Sequence, residues 1–112
     1  MKISVFWTSR KRVSQLSFSI ASFMTNADNN RDIEYLFAID DDDLDTEKAL
    51  NELKPFAHTC GTTIKVVKTK RLGYDYMDVY TNKLANIAEG DCWIIVTDDM
   101  FCLTSGWDTL VR

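Results

Sequence analysis

Apolar positions recur along the chain in two alternating rhythms. Ile3 to Thr8 is a compact run of β-formers and predicts a first strand. Val13, Leu16, Ile20, Phe23 and Met24 then follow at helical spacing, until Asn26, Asn29 and Asn30 break the pattern. Glu34-Tyr35-Leu36-Phe37-Ala38-Ile39 predicts a second strand, which runs into Asp40-Asp41-Asp42-Asp43. A second helix is expected from near Asp45, capped by that side chain, with Glu47 and Glu52 on its face. Leu50, Leu53, Phe56 and Ala57 make its apolar stripe, and Pro55 should weaken its last turn. Ile64 to Val67 predicts a third strand, and Arg71-Leu72-Gly73 reads as a loop. Tyr76 or Met77, Tyr80, Leu84, Ile87 and Ala88 mark a third helix, stopped by Gly90. Cys92-Trp93-Ile94-Ile95-Val96 is the most apolar run and predicts the most buried strand, ending at Thr97-Asp98-Asp99. A further helix is expected near Ser105.

The order β-α-β-α-β-α-β predicts an α/β domain with a mainly parallel sheet and right-handed crossovers. Its strands are nearly continuous apolar runs, as expected where helices cover both faces. A length of 112 residues fits one domain, spanning 1–112. At 46% hydrophobic and 27% charged, the chain is neither disordered nor membrane-spanning, and no apolar run approaches the roughly 20 residues of a membrane helix. The net charge of −4 argues against nucleic acid as a partner. The basic residues form two short clusters, Arg10-Lys11-Arg12 and Lys68, Lys70, Arg71, and no broad stripe. Cys60, Cys92 and Cys102 are odd in number and fit neither a disulfide framework nor a zinc site. Reduced thiols and the missing signal peptide point to a cytoplasmic protein.

In a parallel sheet the carboxyl ends of the strands share one edge, where ligands bind near the reversal of strand order. Thr8-Ser9-Arg10, Asp40 to Asp43, Arg71 and Asp98-Asp99 each follow a strand, so four distant segments should converge on one crevice. Asp98 and Asp99 suit a hard cation such as Mg²⁺ or Mn²⁺, which shares carboxylate oxygen with substrate phosphate. A turn or helix cap after the strand is the plainer reading. Asp40 could point into the crevice and accept hydrogen bonds from a base or ribose, while the rest of the run, Asp41 to Asp43, fits a solvated turn plus helix cap. Asp41, Asp43, Asp45 and Glu52 also match calcium-loop positions, but Thr46 stands where the loop needs Gly, and a strand precedes it. Arg10 and Arg71 could grip phosphate bidentately or lie as ordinary surface residues. His58, the single histidine, has no nucleophile nearby and reads as a solvated helix-end residue. No phosphate-binding loop or dinucleotide glycine fingerprint appears, which weighs against an NTPase, a dehydrogenase or a nucleotidyltransferase.

Taken in order, Thr8-Ser9-Arg10, Ala38-Ile39-Asp40-Asp41, Arg71-Leu72-Gly73-Tyr74 and Gly90-Asp91…Val96-Thr97-Asp98-Asp99 resemble the donor-binding half of family-2 glycosyltransferases. The resemblance runs from Ile3-Ser4-Val5 to Gly106-Trp107. It implies a three-layer Rossmann-like GT-A fold with strand order 3-2-1-4. It implies that Thr8, Ser9 and Arg10 contact the nucleotide, that Asp40 hydrogen-bonds the base, and that Arg71 helps hold the nucleotide. The family's Asp-x-Asp motif stands here as Thr97-Asp98-Asp99, which leaves Asp99 as the best metal ligand and Asp98 on ribose, metal or metal-bound water. The implied activity is glycosyl transfer from a UDP- or other nucleoside-diphosphate sugar with Mn²⁺ or Mg²⁺, to an acceptor the sequence does not name. The implied catalytic base lies past the metal motif, so the chain is expected to stop before the acceptor half. A non-catalytic nucleotide-binding or assembly module of the same fold is the alternative, and a homo-oligomer is compatible with either.

Overall fold

The apolar runs pair as four parallel strands in the order β3-β2-β1-β4. The structure is a computed structural model in which residues 1–71 and 77–111 are described. Strand β1 (Ile3–Ser9) is followed by α1 (Val13–Asn26), a short 3-10 turn (Asn30–Asp32), β2 (Ile33–Asp40) and α2 (Leu44–Cys60). Then come β3 (Thr63–Thr69), α3 (Met77–Ile87), β4 (Cys92–Val96) and α4 (Trp107–Val111). The expected α/β class, parallel sheet and strand order 3-2-1-4 are all present. Leu72, Gly73, Tyr74 and Tyr76, named above, lie outside the described residues.

Alternation along β1 and β2 sorts the core into two layers. Ile3, Val5 and Trp7, with Ile33, Tyr35, Phe37 and Ile39, pack against Leu16, Ile20 and Met24 of α1 and Leu50 and Ala57 of α2. On the opposite face Phe6, Leu36 and Ala38 meet Tyr80 and Leu84 of α3. Trp7 is the centre of the larger layer. Its ring stacks on Phe37 with centroids 5.1 Å apart and meets Phe23 edge-on at 5.4 Å.

Four expectations about the elements need correction. β4 is not the most buried strand; β2 is, with all eight of its residues buried. β4 lies at the sheet edge and pairs with β1 alone, while α3 packs across β1, β2 and β3. Trp93 and Ile95 are therefore 53% and 64% exposed, although the Trp93 ring leans on Phe6 at 5.6 Å. Second, α2 is capped by Asp43, not Asp45. Third, Phe56 is exposed and does not join the apolar stripe of α2, which carries Pro55 within it, continues to Cys60 and ends at Gly61. Asn51, Lys54 and Pro55 are exposed, so the carbonyl that Pro55 leaves without a donor lies on the water side.

Fourth, Gly90 does not stop α3, which ends three residues earlier at Ile87. Gly90 is required by close approach: a Cβ there would lie 2.3 Å from Ser4 Oγ and 2.7 Å from the Ser4 nitrogen. Its N–H donates to Ser4 Oγ at 2.9 Å. Ser4 Oγ in turn donates to Glu34 at 2.6 Å, and the Glu89 N–H donates to the same carboxylate oxygen at 2.6 Å. Lys65 Nζ reaches the other oxygen at 2.8 Å. Glu34 is thus a fully buried, fully partnered carboxylate that ties the α3–β4 connection to the amino-terminal edge of the sheet.

After β4 the chain runs back along α1. Ser19, Ser22 and Asn26, spaced at one helical face, hold it: Ser19 Oγ donates to the Met100 carbonyl, the Cys102 N–H donates to Ser22 Oγ, and Asn26 Nδ2 donates to the Cys102 carbonyl. Gly106, at φ +73°, turns the chain into α4, where buried Asp108 accepts from the Asp28 and Asn29 N–H groups at 2.8 and 2.9 Å. Among the described residues no helix is long and apolar enough to cross a membrane, and the three cysteines are unpaired.

Candidate functional site

The parallel sheet brings the ends of β1, β2 and β4 and the start of α3 to one edge. Thr8, Ser9, Arg10, Arg12, Asp40, Arg71, Met77, Tyr80, Thr97, Asp98 and Asp99 line a crevice there of about 360 Å³. Every residue singled out from the sequence as a nucleotide or metal contact therefore borders the same space. The crevice lies where β1 is flanked by β2 on one side and β4 on the other, the switch point of an open parallel sheet.

Asp40 is almost completely buried at the end of β2. One carboxylate oxygen accepts from Arg10 Nη1 at 2.8 Å, and the other accepts from the Tyr80 hydroxyl. Arg10 also closes its guanidinium fork on Asp42, at 2.6 and 3.2 Å. These bonds, to Asp42 first and Asp40 second, hold Arg10 protonated beyond the ordinary arginine range. The same contact lowers the Asp42 carboxyl below its usual range.

The aspartate run divides its labour. Asp41 and Asp42 are exposed. Asp43 is buried and is the helix cap expected within the run, not part of the solvated turn. It accepts from the Thr46 N–H at the start of α2 and from Thr46 Oγ1 at 2.7 Å. Its second oxygen also accepts from the Lys11 N–H at 2.7 Å, which fixes the β1–α1 turn where Lys11 takes φ +53°. Asp43 thus caps α2 and clasps the loop that carries Arg10 and Arg12. The Asp43→Ala substitution is expected to lower stability by about 1–2 kcal/mol, the usual cost of a lost N-cap. Chemical denaturation checks this, and a loss below a few tenths would mean the clasp is unimportant. The calcium-loop reading does not hold. Asp45 and Glu52 lie within α2, and Asp43 is spent on the cap.

Asp98 is buried, accepting from Ser9 Oγ at 2.9 Å and facing Arg12 Nη1 at 3.5 Å. Asp99 is exposed and accepts from Thr97 Oγ1. That hydrogen bond, with a backbone N–H and the nearby Arg12 charge, holds the Asp99 carboxyl below its usual range. Arg71 is exposed at the rim. His58 sits exposed in the last turn of α2, away from the crevice.

Sequence reasoning did not single out Tyr80 or Arg12 as site residues. Tyr80 belongs to the apolar stripe of α3, but its hydroxyl reaches past the core to Asp40. Arg12 sits at the first turn of α1, two residues from Arg10. The signal for Arg12 was the basic triplet itself, of which only the member nearest the strand had been assigned a role.

Among the described residues no group of three or more His, Cys, Asp or Glu is gathered to hold a metal ion. Asp98 and Asp99 are the two carboxylates expected from the sequence to face a cation. Two carboxylates fit Mg²⁺ or Mn²⁺, which commonly takes one or two from the protein and completes its shell with water and substrate phosphate. They do not fit a closed four-ligand zinc site.

Compared with known proteins, the chain matches no protein-family model and no curated protein.

Proposed function

We propose that the crevice binds a nucleoside-diphosphate sugar, UDP- or another NDP-sugar, together with Mn²⁺ or Mg²⁺, for glycosyl transfer. The observation that carries this reading is the convergence of Thr8 to Arg10, Asp40, Arg71 and Asp98-Asp99, from separate strand ends, on one crevice. Its volume falls in the roughly 300–1,000 Å³ range of small-molecule sites. The resemblance of the same segments to family-2 glycosyltransferases supplies the reaction class.

In this reading Asp40, acceptor-only and oriented by Arg10 and Tyr80, takes hydrogen bonds from the base or ribose. Arg71 at the rim supplies charge-assisted donors to phosphate. Asp98 and Asp99 hold the cation, which when bound neutralises charge on the departing diphosphate. Calorimetry with UDP and GDP, with and without Mn²⁺, tests the proposal. Metal-dependent binding is expected, and Asp99→Ala should weaken it at least tenfold, about 1.4 kcal/mol. Absence of binding by either nucleotide in Mn²⁺, with Asp99→Ala changing nothing, would sink it.

One observation favours a second reading, a nucleotide-binding module without turnover. Asp40, Asp98 and Asp99 are each engaged by a neighbouring side chain of the crevice, and a general base must be free to accept the acceptor's proton. Sugar transfer or donor hydrolysis by this chain decides between the two.

A further inference from the structure

The two arginines that follow β1 are held very differently. Arg10 commits its whole fork to Asp42 and adds Asp40, and its side chain is only 24% exposed. Its Nη1–Nη2 edge is closed to a phosphate unless that pair opens. Arg12 is 49% exposed and borders the same crevice. It meets Asp98 in one contact of 3.5 Å, long against the roughly 2.7–2.9 Å of a charge-assisted hydrogen bond. Among the described residues it has no second ion pair. Asp98, by contrast, also accepts from Ser9 Oγ at 2.9 Å. The weak partner in this pair is the arginine.

We propose that Arg12 is the diphosphate-binding arginine of the crevice, held on Asp98 until a divalent ion takes that carboxylate. Metal and nucleotide then bind with positive coupling. The proposal rests on the metal-dependent nucleotide reading above and names a residue and a regulation within it. The reason is electrostatic. Arg12 and a divalent cation compete for one buried carboxylate and repel each other. A diphosphate removes the conflict, because it offers the guanidinium two oxygens in place of one distant contact. Each ligand then raises the affinity of the other by the same factor, which for such couplings is typically about 5- to 150-fold.

The test is calorimetric titration of the chain and of Arg12→Ala with Mn²⁺ alone, UDP alone, and UDP in saturating Mn²⁺. Arg12→Ala should bind Mn²⁺ alone several-fold more tightly than the unsubstituted chain, because the competing cation is gone. It should bind UDP in Mn²⁺ about tenfold or more weakly, a loss of roughly 1.4 kcal/mol or greater. Arg12→Lys, which keeps the charge without the fork, should fall between. A merely structural Arg12 would predict the opposite sign for Mn²⁺, since losing it would loosen Asp98. The proposal is overturned if Arg12→Ala leaves Mn²⁺ affinity equal or lower, or leaves UDP affinity in Mn²⁺ unchanged. If the unsubstituted chain binds no UDP even in saturating Mn²⁺, the nucleotide reading itself fails.

Discussion

Replacing Trp7 by Ala is expected to remove about 3–5 kcal/mol of stability, the usual cost of truncating a buried Trp or Phe. Trp7 has no exposed surface. It stacks on Phe37, meets Phe23 edge-on and lies 5.9 Å from Tyr35, so a small side chain leaves a cavity bordered by three rings. Its indole N–H also donates to Ser19 Oγ at 3.0 Å, and that hydroxyl passes the bond on to the Met100 carbonyl. The substitution therefore loosens the return segment behind Asp98 and Asp99 as well as the core. Small domains have only about 5–15 kcal/mol in total, so the variant should be near the edge of folding. Urea denaturation measures the effect. A loss below about 2 kcal/mol would show that the site collapses around the missing ring, against the cavity argument.

Glu34→Gln should cost about 3 kcal/mol at neutral pH and flatten the acid limb of the stability curve. Burial alone would raise the Glu34 carboxyl, but Lys65, Ser4 and the Glu89 N–H outweigh it, and the group lies below its ordinary value of 4.5. A carboxyl depressed in the folded state contributes stability that is fully present above its unfolded pKa. That contribution is lost as pH falls through the lower folded value. The parent chain should hold its stability from neutral pH to about pH 5 and then lose it steadily. The Gln variant has no charge there to lose, so the gap between the two proteins should narrow in acid. Denaturation midpoints at neutral pH and at about pH 4 and below check this. A gap that stays constant would place the linkage in other carboxylates.

Much of the architecture could be read from the chain because its signals are local. Apolar runs bounded by Asp or Gly mark the strands, and their alternation with helical spacing dictates a parallel sheet. The positions set by contacts between distant segments could not be read so. Four consecutive aspartates give no local reason to prefer one as the cap. The choice falls on Asp43 because the Lys11 N–H, more than thirty positions away, needs the same carboxylate. The composition of Cys92–Val96 suits a buried strand, but neighbours decide burial, and β4 has a strand on one side only. Gly90 looks like a helix stop, yet its requirement is the backbone of Ser4. At the site, the acids and Arg71 were legible because they follow strands directly. Tyr80 was not, because it becomes polar machinery only once α3 lies across β2 and turns its hydroxyl to Asp40.

The position of β4 also sets the entropy of closing the crevice. β1 joins β2 through the short α1 connection, pairing Ile3 with Ile33, but it meets β4 only by pairing Ile3 with Cys92. The second closure spans roughly three times as much chain and adds about 1 kcal/mol of loop entropy over the first. Thr8 to Arg10 beside Asp40 form the side of the crevice that the shorter closure makes. Asp98 and Asp99 follow the strand that joins by the longest-range pairing of the sheet, so their side of the crevice carries the larger loop-closure entropy.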